Sequence, residues 1–144
     1  MEKLQWDQKL ELGNEEIDLQ HHYFVDLINR IIKLAEEGCD KFTLSRTLEE
    51  LFRYARFHFY SEENIYRTLQ VPGHILQTHQ HLHERLLEVL KNKMQAVYSH
   101  GYDTHELLEF AIHWFLHHSQ VDDKFVLDNC ALRPDGTPRE TEGD

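Results

Sequence analysis

At 144 residues the chain fits one domain that buries roughly two-thirds of the surface its unfolded form exposes, and its 40% hydrophobic and 28% charged residues are the balance of a soluble globular protein. A formal net charge of −11 argues against nucleic acid or an anionic membrane surface as partner, because both need a positive patch. No apolar run approaches the roughly 20 residues needed for membrane insertion. Two cysteines, Cys39 and Cys130, far apart and in no CxxC, exclude a disulfide framework and a thiolate zinc site, whereas twelve histidines make imidazole the abundant candidate donor.

The opening stretch "MEKLQWDQKLELG" lacks the basic and apolar regions of a secretion signal, so a cytoplasmic protein is expected. Residues 1–16, with Trp6, read as an arm lying against the helical body of the chain. From 17 to 37 the residues Ile17, His21, Phe24, Ile28, Ile31 and Ala35 recur at spacings of four and three, the stripe of an amphipathic helix, with Gly38 as its stop. A second stripe runs Leu44, Leu48, Leu51, Ala55, His58, Glu62 and Ile65, ending before "VPG" at 71–73. The third is Leu76, His79, His83, Leu86, Leu90 and Val97. After "SHGYD", Asp103 and Glu106 resemble a capping box, and the fourth stripe is Leu107, Ala111, Trp114, His118, Val121 and Phe125.

Four helices of roughly 20 to 25 residues joined by short connections predict an all-α, up-down-up-down antiparallel four-helix bundle. Residues 1–132 then form one domain with its N-terminal arm. "RPDGTPRETEGD", residues 133–144, reads as a short disordered, flexible C-terminal tail from its Pro, Gly and charge content.

The inward stripes carry polar groups where a core is required: His21, His58, Glu62, His79, His83 and His118. One such histidine alone is ordinarily a hydrogen-bonded core residue. Five on four converging stripes, with His58 and Glu62 and also His79 and His83 paired at i,i+4, form the pattern by which helices chelate metal. A buried Glu62 also demands a cation or a dense set of donors. Imidazole with carboxylate suits Fe, Mn, Zn or Cu, and the donors outnumber what one tetrahedral zinc takes. Neither HExxH nor Glu-x-x-His occurs, which removes zincin proteases and ferritin-like di-metal proteins. A haem on two of these histidines would leave the others unexplained.

In "DLQH" at 18–21, "HFYSEE" at 58–63, "HQHLH" at 79–83 and "WFLHHSQVDDK" at 114–124, together with the Trp and "LGNEEID" of the arm, the chain resembles hemerythrins of the stand-alone bacterial type. Each motif is weak; one per helix in this order is specific. The resemblance implies two Fe ions bridged by Glu62 and Asp123, with His79, His83 and His118 on one and His21 and His58 on the other, and O2 as the ligand of the iron that is one donor short. Phe24, Phe59 and Trp114 are expected as walls of the O2 pocket. The implied protein is an oxygen-storage or oxygen-delivery monomer, not an enzyme, with an oxygen-requiring enzyme as recipient. A di-iron enzyme or sensor handling peroxide, nitric oxide or iron is the alternative.

One implied ligand conflicts with ideal helix geometry. Asp123, five after His118, turns about 140° away from it on an α-helix, while Asp122 at i+4 turns only about 40°. Helix geometry alone selects Asp122; the resemblance selects Asp123 and requires a π-type distortion that brings i+5 inward. The remaining histidines, at 22, 74, 81, 100, 105, 113 and 117, lie off the apolar stripes and are expected to face solvent.

Overall fold

The computed structural model describes residues 1–100 and 104–140, without the side chain of His100. Four helices follow one another: α1 Glu15–Glu37, α2 Lys41–Thr68, α3 Gly73–His100, and a fourth rod made of α4 Thr104–His117, a π-helical segment His118–Asp123 and α5 Lys124–Asn129. No strand occurs among the described residues. α1 packs on α2 and α4, and α3 on α2 and α4, which closes an up-down-up-down bundle.

Local chemistry sets the helix ends. The Asn14 side chain accepts from the Ile17 N–H at 2.9 Å, and Glu15, Glu16 and Asp18 place negative charge in the first turn of α1. Asp40 caps α2 through the Thr43 N–H at 2.7 Å. Gly38 stops α1 with a φ of +81°, a backbone state that L side chains rarely adopt. Beyond the end of α2 Gln70 takes a left-handed backbone with a φ of 63°, and Pro72, which has no N–H to give, leads into α3. The Asp103 of the expected capping box and the turn around it lie outside the described residues.

Two apolar clusters hold the bundle. The larger contains Phe24, Ile28, Leu48, Leu51, Leu90 and Leu108; the smaller, nearer the α2–α3 turn, joins Ile17, Tyr66, Leu69, Val126, Leu127 and Cys130. Burying each such side chain contributes roughly 1.5–3 kcal/mol. Every helix passes from one cluster to the other, and the polar stripe residues fall in the interval. His21 lies between Ile17 and Phe24, Glu62 between Phe59 and Tyr66, and His118 and Asp123 between Phe115 and Val126. The apolar clusters thus seal a polar layer above and below.

The arm lies against the bundle as expected. Trp6 stacks on His22 with ring centroids 3.5 Å apart, the Leu4 backbone pairs both ways with the Asn29 side chain, and Leu10 joins the larger cluster. Residues 133–140 correct the expectation of a free tail. Arg133 N–H donates to the Thr137 carbonyl, Asn14 donates to the Pro134 carbonyl, and the Arg139 guanidinium donates to the carbonyls of Cys130 and Leu127. The Pro and Gly of this stretch form a turn that returns the chain onto the end of α5, where Arg139 satisfies carbonyls the helix leaves open. Residues 141–144 lie outside the described residues. Among the described residues no helix is long and apolar enough to cross a membrane.

Candidate metal centre

All seven expected residues converge. His21, His58, Glu62, His79, His83, His118 and Asp123 are each 4% exposed or less, and Glu62 and Asp123 are fully buried. Their potential ligand atoms form two groups, each within 4.8 Å across: Glu62, His79, His83, His118 and Asp123 in one, and His21, His58, Glu62 and Asp123 in the other. The two carboxylates belong to both.

Each carboxylate divides its oxygens between the groups. Glu62 Oε1 faces His79 Nε2 at 3.2 Å, His83 Nε2 at 3.1 Å and His118 Nε2 at 3.7 Å, while its Oε2 faces His58 Nε2 at 3.2 Å and His21 Nε2 at 3.8 Å. Asp123 Oδ1 faces His79 at 3.1 Å and His118 at 3.2 Å; its Oδ2 faces His21 at 3.4 Å. Each carboxylate thus reaches both imidazole sets, and imidazole with carboxylate is a donor set able to hold a metal ion.

The aspartate conflict resolves through the helix itself. Residues His118–Asp123 are π-helical, the looser winding carries i+5 inward, and Asp123 is buried beside His118. Asp122 instead sits behind the ring, its Oδ2 3.2 Å from His118 Nδ1. The same unwinding overturns the end of the fourth stripe: Val121 and Phe125 are exposed, and Val126 and Leu127 are buried in their place. Val121 and Phe125 line a surface groove with His74, Ile75 and Leu82 that reaches His79.

A cation fits this donor set on physical grounds. His83 Nε2 and His118 Nε2 approach to 3.0 Å, a contact that two neutral lone pairs do not tolerate without a shared proton or cation. His58 Nε2, Glu62 Oε2 and Asp123 Oδ2 are buried without a hydrogen-bond partner, their mutual contacts being misaligned for one. Protons partly substitute for the cation. Burial alone would lower the pKa of His21 and His79, but the close negative carboxylates of Asp123 and Glu62 outweigh it and push each up to about 9. The same contest leaves His118 well above its usual value, while at His58 burial prevails and the pKa falls. Burial would raise the Glu62 and Asp123 carboxyls, and the surrounding imidazoles hold both well below the usual carboxylate range.

Several contributing residues carry no signal in the sequence that marks them. Gln20 and Glu63 contact His58 and His83 from behind, and each is simply the chain neighbour of a recognised motif residue. Tyr66 lies four after Glu62 on the same helix face, fully buried, and its hydroxyl donates to Asp123 Oδ1 at 2.9 Å. Burial, reinforced by Asp123 and Glu62, raises its phenol well above the usual value. Phe115 sits 5.4 Å from the His21 ring and stacks on Phe24 at 5.2 Å. Of the expected walls, Phe24 and Phe59 are buried, with Phe59 stacked on His83 at 4.0 Å; Trp114 is partly exposed, 5.7 Å from His118. Of the seven histidines expected outside, five are exposed, His22 is half-buried beneath Trp6, and the side chain of His100 lies outside the described residues.

Known proteins are similar to this chain over most of its length. The family model described as the hemerythrin HHE cation binding domain matches residues 12–127. The chain is 26% identical over 128 residues to bacteriohemerythrin of Clostridium acetobutylicum, covering 85% of this chain and 98% of that protein. It is 27% identical over 130 residues to bacteriohemerythrin of Pseudomonas paraeruginosa, covering 89% and 82%. Myohemerythrin of Theromyzon tessulatum is 25% identical over 122 residues, covering 85% and 89%. The matched span begins beside the cap of α1 and ends within α5, so it contains every residue of the buried cluster, and this chain belongs to the hemerythrin family.

Proposed function

We propose that this chain binds O2 reversibly at a carboxylate-bridged pair of iron ions and serves as an oxygen store or carrier. His79, His83 and His118 would hold one ion, His21 and His58 the other, with Glu62 and Asp123 bridging. The observation that carries the reading is an unequal sharing of donors: both carboxylates serve both groups, but one group adds three imidazoles and the other two. The smaller group leaves room for an exogenous ligand. When bound, a reduced iron pair supplies the affinity for O2 and the electrons that its reversible binding uses.

The residues around that opening favour release over further chemistry. Phe24, Phe59 and Phe115 wall the imidazoles with apolar rings, and Trp114 closes the side toward His118. Such walls exclude water and admit a small neutral molecule. Among the described residues Tyr66 is the one hydroxyl bonded to the shared carboxylates, and it is committed to Asp123 with a raised pKa, so it holds its proton there. In this reading the protein acts as a cytoplasmic monomer, supplies an oxygen-requiring enzyme and is not itself an enzyme.

Iron content combined with anaerobic reduction, O2 addition and removal of the gas tests the proposal. Two irons per chain with a visible charge-transfer band that appears and disappears over repeated cycles are expected. One metal per chain, a haem Soret band, or oxidation that fails to reverse on the first cycle would overturn it. Steady-state peroxide consumption well above the autoxidation rate would point instead to a di-iron enzyme.

A further inference from the structure

The imidazoles of the two groups are not supported alike from behind. His83 donates from Nδ1 to Glu63 Oε2 at 2.7 Å, and Glu63 is itself fixed by the Gln80 amide at 3.2 Å. His118 Nδ1 rests on Asp122. In the other group His58 Nδ1 meets the neutral amide of Gln20, Oε1 at 2.7 Å. His58 Nε2 faces Glu62 Oε2 at 3.2 Å and is the nitrogen turned toward the metal group, so the ring carries its proton on Nδ1 and Gln20 Oε1 accepts it, while the amide nitrogen lies 2.9 Å from Ser61 Oγ. His21 Nδ1 is buried with no hydrogen-bond partner. One group therefore has two carboxylates behind its rings, and the other has none.

That difference has an electronic consequence. A carboxylate draws the Nδ1 proton outward and makes Nε2 a stronger donor, while an amide does so less. We propose that Glu63 and Gln20 are positioning residues that make the two iron positions unequal, Glu63 favouring the ferric state beside His83 and Gln20 leaving the position beside His58 the more readily ferrous. The inference rests on the di-iron reading of the site. It assigns the first electron removed by a one-electron chemical oxidant to the position of His79, His83 and His118. The position with room for O2 keeps its electron.

Glu63→Gln and Gln20→Glu, singly and together, test this in the full chain loaded with iron. The readouts are the midpoint potential of the first oxidation and the number of histidine nitrogens coupled to the ferric ion in the half-oxidised protein. E63Q is expected to favour the reduced state about tenfold, an upward shift of about 59 mV, and Q20E to shift the potential downward. The double variant keeps the overall charge and is expected to move the ferric ion, so that three coupled nitrogens become two. Single-variant shifts under twofold with two irons retained, or a double variant that still shows three nitrogens, would overturn the inference. Zinc-loaded protein gives a check independent of iron: the His83 Nδ1 proton resonance is expected far downfield and to move upfield in E63Q, and an unmoved resonance also overturns it. Fewer than two irons in the unsubstituted chain would overturn the di-iron reading and this inference with it. Two irons without the shifts would overturn the inference alone.

Discussion

Removing the metal should convert the centre from a cation-bound cluster into a proton-bound one, and its cost should depend on pH. In the metal-free chain His21 and His79 are raised from 6.5 to about 9. A raised imidazole stabilises the fold fully below its unfolded value and loses that contribution as pH climbs through the folded one, so the relevant window runs from about 6.5 to about 9. The depressed Glu62 and Asp123 act in the opposite sense at the acid end, contributing above the ordinary carboxylate range and losing that contribution as pH falls. His58, kept neutral by burial, costs stability only as pH falls below its ordinary value of 6.5, outside that window. Taken as one coupled set, the loss across the window is of order 3 kcal/mol, since one unit is about 1.4 kcal/mol. At roughly 3 °C per kcal/mol for a chain of this length, the metal-free Tm should fall by about 10 °C between pH 6.5 and 9. The iron-loaded protein should not follow, because metal needs deprotonated ligands and gains on protons as pH rises. Thermal unfolding by circular dichroism, with and without chelation, measures both curves. A gap between them that stays constant or narrows with rising pH would refute the argument that protons substitute for the cation.

Asp123→Ala should lower bound iron from two to one per chain, whereas Asp122→Ala should keep both and weaken binding by about 10- to 100-fold through a loosened His118; metal analysis and chelator competition separate them. Tyr66→Phe removes the hydroxyl that donates to Asp123 Oδ1 and should destabilise the metal-free protein by about 1–3 kcal/mol in urea unfolding; no change would mean that the phenol contributes nothing net to that carboxylate. Phe115→Ala opens a cavity between His21 and Phe24, and should cost about 3–5 kcal/mol and accelerate loss of the O2-bound spectrum; an unchanged decay would remove Phe115 from the wall.

The bundle was legible because the helices repeat their apolar residues over many turns and local signals such as Gly38 and Pro72, which act without tertiary help, interrupt them. The site residues were legible because polar groups on an apolar stripe contradict it, and five imidazoles with Glu62 contradict it at one level of the bundle. Gln20 and Glu63 were not, because each lies beside the stripe, and Tyr66 was not, because a buried aromatic on the stripe reads as core packing; the meaning of all three depends on which group faces them from another helix. Residues 133–140 were misread for a related reason. Their composition is that of a turn as well as of a tail, and only the open carbonyls at the end of α5, met by Arg139, decide between them.

The π-helical segment shows why helical periodicity alone could not finish the site. The fourth rod must present His118 and a carboxylate to the same interior, and it must also place an acceptor behind His118 to fix its tautomer. On a regular helix Asp122 alone would face the interior, leaving no neighbouring carboxylate to support the ring. One looser turn separates the tasks: Asp123 goes in and Asp122 stays at His118 Nδ1. The register shift continues into α5, where Val126 and Leu127 rather than Phe125 enter the smaller core, and the returning chain at 133–140 clamps the end of that helix. The packing of Val126, Leu127 and Cys130 thus offsets the poorer helix geometry upstream, so the local irregularity and the apolar core below it hold each other in place.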